Sequence, residues 1–238
     1  MTKACYVGVA GKARKVKKIY TGVANKARKV KKAYVGVGGK ARPFYSAEQK
    51  LSYYGTVTEL SQARAGLAAT TVGNYGLFGG GNTKGFSSSM DAYSSSLVRS
   101  TPTGLRYPCD LLAATAVGGY ALFGGGMTAD TVSFYSSVVS AYNASLVRSL
   151  PTEMGAARCF LAAVAIGGYA LFGGGFNESV GSLVDAYSSS LVRSTPTGLS
   201  QARNSLAAAS VGGYALFGGG GRGGNEVCFS VVDAYNLV

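Results

Sequence analysis

Phe78, Phe123, Phe172 and Phe217 mark four copies of one unit, spaced by 45, 49 and 45 residues. Each copy reads LAA-x-x-V/I-G-x-Y-x-LFGGG, then a variable stretch, then AY; in the first three, SLVRS-x-PT follows. In the first copy the segments LAATTV, YGLFGG, MDAYS and LVRSTP are strand-length and are punctuated by Gly and Ser. Four short strands per unit predict one antiparallel four-stranded sheet. A sheet of that size cannot bury both faces alone, so the copies must stack, as the blades of a propeller do. The LFGGG run lacks the Lys-Ser/Thr ending of a phosphate loop and occurs in all four copies, which assigns its glycines to turn geometry.

The two ends of the array differ. Leu51 to Leu60 matches Leu97 to Leu105 at Thr56, Thr58 and Leu60, which align with Thr101, Thr103 and Leu105. It reads as a fourth strand with no unit before it. The final copy ends at Asp233-Ala-Tyr-Asn-Leu-Val238, a third strand with no fourth. Strand 51–58 can complete the last blade and remove two open sheet edges, within one chain or between chains. The expected fold is all-β: a small β-propeller of four four-stranded blades over 51–238, closed by strand 51–58. A linker at 46–50 separates it from an N-terminal β-hairpin repeat arm over 1–45.

Charge sets the arm apart. Residues 1–45 carry 13 of the 23 Lys and Arg and none of the 10 Asp and Glu, whereas 46–238 is balanced. The arm repeats every 14 residues from Tyr6, Tyr20 and Tyr34, as YVGVAGKARKVKK, YTGVANKARKVKK and YVGVGGKARPFYS. A Gly- or Asn-containing point within each copy reads as strand, tight turn, strand, and the third copy is expected to stop at Pro43. One such ribbon has too little apolar surface to stand alone, so packing against other copies, as a homo-oligomer, is expected. The arm's charge suits two kinds of partner. One is an assembly into which it docks through Tyr6, Arg14, Lys15, Tyr20, Arg28, Lys29, Tyr34 and Arg42. The other is nucleic acid or another anionic polymer, with the tyrosines as stacking groups. The regular repeat favours anchoring.

The chain has no His, which excludes imidazole-activated nucleophiles and imidazole metal ligands. Cys5, Cys109, Cys159 and Cys228 form no CxxC pair, so neither a zinc site nor a redox motif is indicated and free thiols are expected. The carboxylates near the variable stretches show no spacing that selects an acid–base pair. The reading is therefore non-enzymatic, with no cofactor and no metal. The longest apolar stretches, such as Leu111 to Val117, fall well short of a membrane span, and no insertion is expected.

Comparison of the four copies separates constant from variable connections. The first-to-second strand turns and the third-to-fourth strand turns are nearly fixed in sequence. Between strands two and three lie NTKGFSS, MTADTVSFYSS, FNESVGS and GRGGNEVCFS. Between one sheet and the next lie SQARAG, RYPCD, MGAARC and SQARNS. In an antiparallel meander these two variable connections emerge on the same side, as a binding face on a rigid scaffold would. The candidates from the first two copies are Lys84, Phe86, Arg106, Tyr107, Asp110 and Tyr135. Those from the last two are Arg158, Phe160, Phe176, Glu178, Arg222 and Glu226. The recurring Asp91, Asp185 and Asp233, replaced by Ser140 in the second copy, read as structural hydrogen-bonding groups.

VGGYALFGGG followed by the Tyr of DAY resembles the kelch repeat. The kelch pattern places Trp six residues after that Tyr; Arg99, Arg148 and Arg193 stand there in this chain, so the blades are divergent. Tandem KARKVKK-bearing segments before YALFGGG repeats are similar to the layout of kelch-repeat tail or fibre proteins of phages and prophages of Gram-positive bacteria. That resemblance implies a tail-associated structural and adsorption protein, made in the bacterial cytoplasm and located on the virion. Its arm would anchor to other tail proteins, and its loops would bind a bacterial surface glycan or protein. The alternatives are a purely structural virion component, or an interaction scaffold whose basic arm binds nucleic acid.

Overall fold

A computed structural model describes residues 6–9, 12–15, 20–23, 26–30, 32–37, 40–46, 51–129, 134–222 and 227–237. Among them there are strands and no helix. The chain divides into two compact units, Met1–Gly55 and Thr56–Val238.

The first unit holds three two-stranded antiparallel ladders. β1 (Tyr6–Val9) pairs with β2 (Lys12–Lys15), β3 (Tyr20–Val23) with β4 (Lys26–Lys29), and β5 (Lys32–Val37) with β6 (Lys40–Ser46). The 14-residue repeat fixes the register, because Tyr6 faces Lys15 and Tyr20 faces Lys29. β6 does not stop at Pro43 as expected. Tyr34 faces Pro43, Ala33 faces Tyr45, and the ladder shifts between them as a bulge. A two-stranded ribbon leaves every strand one unpaired edge, where a residue without an N–H is tolerated, and the bulge absorbs the misfit.

The second unit is four sheets built alike. The first contains β7 (Ala68–Val72), β8 (Tyr75–Gly79), β9 (Met90–Ser94) and β10 (Arg99–Ser100) in meander order. The short β11 (Cys109–Asp110) precedes the second sheet: β12 (Ala113–Val117), β13 (Tyr120–Gly124), β15 (Val139–Asn143) and β16 (Arg148–Ser149). β14 (Met127–Thr128) lies in its loop and pairs with β11. The third sheet is β17 (Ala162–Ile166), β18 (Tyr169–Gly173), β21 (Val184–Ser188) and β22 (Arg193–Ser194), with β19 (Phe176–Asn177) and β20 (Ser179–Val180) in its loop. The fourth has three strands, β23 (Ala207–Val211), β24 (Tyr214–Gly218) and β27 (Val232–Asn236), with β25 (Gly221–Arg222) and β26 (Val227–Cys228) in its loop.

The sheets stack in chain order with their first strands side by side, β7 by β12, β12 by β17 and β17 by β23, which is a propeller-like arrangement. Strand alternation gives every sheet two apolar faces. One carries the small residues of the first strand with the Leu of the second: Ala113, Val117, Leu122, Val139 and Ala141 in the second sheet. The other carries the Phe of LFGGG, the Ala two residues before it (Gly76 in the first sheet) and the Tyr of AY. Each sheet sets the first kind of face against the second kind on its successor, so that Ala170, Phe172 and Tyr187 close the second sheet's face. The same packing sets Val72, Leu77 and Met90 against Ala121, Phe123 and Tyr142, and Val164, Leu171 and Val184 against Ala215 and Phe217. Burying one such side chain contributes about 1.5–3 kcal/mol. Each Phe also meets its own Tyr edge-on, at 5.8–6.0 Å. That Tyr donates to a carbonyl in the segment leading into its sheet, at Thr58, Thr103, Thr152 and Thr197.

Within the single chain, residues 51–58 do not supply the expected fourth strand of the last blade. The last sheet has three strands, and residues 51–58 lie in no strand. β7 and β23 do not pack side by side as the other first strands do, so the row of sheets is open at both ends.

Candidate binding face

The two families of variable connection meet in space. Ala65 bridges to Asn82, Cys109–Asp110 pairs with Met127–Thr128, Cys159 bridges to Phe176, and Asn204 bridges to Gly221. Each bridge joins the segment entering a sheet to the loop between that sheet's second and third strands. The backbone bonds are 2.7–3.1 Å, as in Asn82 N–H to Ala65 C=O and Asn204 N–H to Gly221 C=O. The candidate residues on these segments therefore share one side of the unit.

Their side chains have different environments. Lys84, Glu178 and Arg222 are exposed on loop tips, and Phe86 is half-buried beside the bridge it makes to Asn82. The Arg106 guanidinium lies 5.3 Å from the centre of the exposed Tyr107 ring, within cation–π range. Tyr135 and Phe176 meet edge-on at 6.0 Å. Asp110 is half-buried, and burial raises its carboxyl above the ordinary range against the opposing hydrogen bond with Asn82. Phe160 lies in the left-handed region (φ 53°), where its peptide links neighbouring sheets: its N–H donates to Leu111 C=O and its C=O accepts from Ser205 N–H. Glu226 lies outside the described residues. In the arm, Tyr6, Arg14, Lys15, Tyr20, Arg28, Lys29, Tyr34 and Arg42 all fall within strands.

Arg158 does not belong to a ligand-binding face. It is 2% exposed, and its guanidinium donates to Asp185 at 2.6 Å and to the carbonyls of Phe172 and Ala156. Arg64 and Arg203 repeat this arrangement with Asp91 at 2.7 Å and Asp233 at 2.8 Å. Burial alone would raise the Asp185 carboxyl, but the Gly155 N–H and the guanidiniums of Arg158 and Arg193 hold it below its ordinary value. The partner Arg went unrecognised in the sequence, although a signal was present. Arg stands 14 residues before the anchoring Phe in copies one, three and four, and in copy two Cys109 takes its place where Ser140 replaces Asp. Both charges leave together, as they must, since a lone buried charge is costly. Cys109 is instead a buried thiol, pushed up to about 12 by burial.

One cleft opens on this side, about 450 Å³ in volume, at the second sheet's loops. Tyr107 and Pro108 form one part of its lining, Thr128, Tyr135, Ser136 and Ser137 another, and Glu153 comes from the segment entering the third sheet. The Ser137 hydroxyl donates to Glu153. The volume suits a small ligand. Aromatic rings beside hydroxyls and a carboxylate can stack on an apolar ring face while hydrogen-bonding its polar groups. Glu153 is the one carboxylate among the described lining residues, so no acid–base pair is assembled there. No group of three or more potential metal ligands occurs among the described residues. No protein-family model matches the chain, and no curated protein matches it in sequence.

Proposed function

We propose that this chain is a non-enzymatic structural and adsorption protein of a phage tail or tail-like particle, with divergent kelch-like blades that present variable loops to a bacterial surface glycan. The observation that carries the binding reading is the cleft at Tyr107, Tyr135, Ser137 and Glu153, on the side where the variable connections meet. A glycan fits it because sugars combine apolar ring faces with hydroxyls, and Tyr is economical at such sites, offering a rigid ring and one polar tip. The placement on a tail rests on the similarity of the sequence layout to kelch-repeat tail proteins. The basic arm is the proposed anchor to other tail proteins, and many copies on one particle would turn weak single-site binding into avidity.

The test is co-sedimentation of the full chain with purified Gram-positive cell walls at high salt, where attraction between the arm and anionic wall polymers is screened. Tyr107→Ala is expected to lower wall binding about tenfold, corresponding to the ~1.4 kcal/mol of one lost stacking contact. Its effect on stability should stay within about 0.5 kcal/mol because the residue is exposed. Equal sedimentation of the two proteins would remove the cleft from the account. Binding to DNA that weakens steeply with salt, with none to walls, would favour the nucleic-acid reading of the arm.

A further inference from the structure

The packing between successive sheets is repeated three times and stops at each end with one half of the contact uncovered. On the fourth sheet, Val211 is 62% and Val232 60% exposed. Their counterparts in the third sheet, Ile166 and Val184, are 7% and 0% exposed because Phe217 and Ala215 cover that face. The first sheet shows the other half. Phe123, Phe172 and Phe217 are at most 1% exposed, whereas Phe78, their counterpart, is half-buried and Ala69 beside it is exposed.

The glycines record the same contact. A Cβ on Gly79 would stand 3.1 Å from the Phe123 ring, one on Gly124 3.0 Å from Phe172, and one on Gly173 2.8 Å from Phe217. At Gly218 the one neighbour within 4 Å among the described residues is Val232, of its own sheet, so the seat for a ring is present and no described ring fills it. Two series of peptide hydrogen bonds also run from sheet to sheet. In one, Gly81, Gly126 and Gly175 donate to the carbonyls of Cys109, Arg158 and Arg203. In the other, Leu111, Phe160 and Ser205 donate to the carbonyls of Gly66, Leu111 and Phe160. The next members would join Gly220 N–H to Arg64 C=O, and Gly66 N–H to Ser205 C=O.

We infer that the uncovered face of the fourth sheet is a docking surface for a second copy of this chain, which seats Phe78 and Tyr93 of its first sheet over Gly218, Val211 and Val232. A second copy is the indicated occupant because the chain's own repeats show, three times, what covers such a face, and the uncovered first sheet is that element. The contact is heterologous, joining the end of one copy to the start of the next. Two copies joined at both contacts would make eight blades, within the range of about 4–8 that closed propellers use. The segment before Thr58 of the docking copy, which matches the outer-strand sequence, would then meet the open edge of the three-stranded sheet. This inference stands apart from what the loops bind.

Light scattering of the full chain tests it, with Val232→Arg on one face and Ala69→Arg on the other. Both positions are exposed in the single chain, so both variants should fold. The unaltered protein is expected at twice the 24.2 kDa chain mass or more, and each variant should lower that mass at least twofold. Mixing the two variants should raise the mass again about twofold, because each retains the face the other lacks. A single-chain mass for the unaltered protein overturns the inference. So does a mass that neither substitution changes, or variants that do not recombine.

Discussion

The third and fourth sheets are nearly the same sequence in different surroundings. Their first two strands read AAVAIGGYALFGG and AAASVGGYALFGG. In the third sheet the first strand alternates buried and half-buried, while in the fourth four of its five residues are exposed. The third strands contrast in the same way, with Val184 to Tyr187 fully buried and Val232 to Asn236 open or half-open. What a repeat buries is thus set by its neighbours as much as by its own residues, as expected of a stacked array whose stability is a sum of unit and contact terms. An end unit in such an array needs a polar cap or a partner. The fourth sheet has Val, Ala and Leu where a cap would be polar.

The largest expected effect comes from the ring that each internal contact buries. Phe172→Ala should cost about 3–5 kcal/mol at any protein concentration. Phe78→Ala should cost about half as much in dilute protein, and more as concentration rises, since its covering face must come from another molecule. Denaturant unfolding at two concentrations reads both, and equal, concentration-independent losses would break the contrast between middle and end sheets.

Next comes the buried ion pair. Arg158→Cys leaves Asp185 without its closest guanidinium and should cost on the order of 3 kcal/mol. Arg158→Cys with Asp185→Ser reproduces the pair that the second sheet carries as Cys109 and Ser140, and should cost less than the sum of the two single changes. Strict additivity in this cycle would show that the two positions are not coupled.

The smallest effect is in pH. The carboxyls of Asp185 and Asp233 are held below their ordinary range, Asp233 by Ser200 and Arg203 against burial. Carboxyls lowered in the folded state stabilise it above the unfolded value of about 3.9, and that contribution is lost as pH falls through the folded values. Acid unfolding should therefore begin below about pH 4, and Asp185→Asn should flatten the profile.

The repeat made the architecture legible, because its period, strand-length segments and Gly punctuation predict stacked four-stranded sheets. The placement of the variable connections on one side was legible too, since an antiparallel meander leaves no other arrangement. The burial of Arg158 is hidden in the sequence because variation among MGAARC, RYPCD and SQAR has the pattern of a free loop, whereas three of the four keep an inward-facing Arg. The cleft's Ser137 lies in the second sheet's loop and Glu153 in the segment entering the third, and no linear spacing announces such a pair. The open ends were hidden for a different reason. Sequence complementarity between strand 51–58 and the last unit says that an edge can be covered, without saying by which molecule.

Hydrogen exchange of the full chain, followed by mass spectrometry across a range of concentrations, tests the open ends most directly. Peptides covering Ala207–Val211 and Val232–Asn236 should exchange faster than Ala162–Ile166 and Val184–Ser188 in dilute protein, and slow towards them as concentration rises. Equal protection of both sheets in protein whose mass is that of a single chain would contradict the account, because it would mean that the row of four sheets closes on itself.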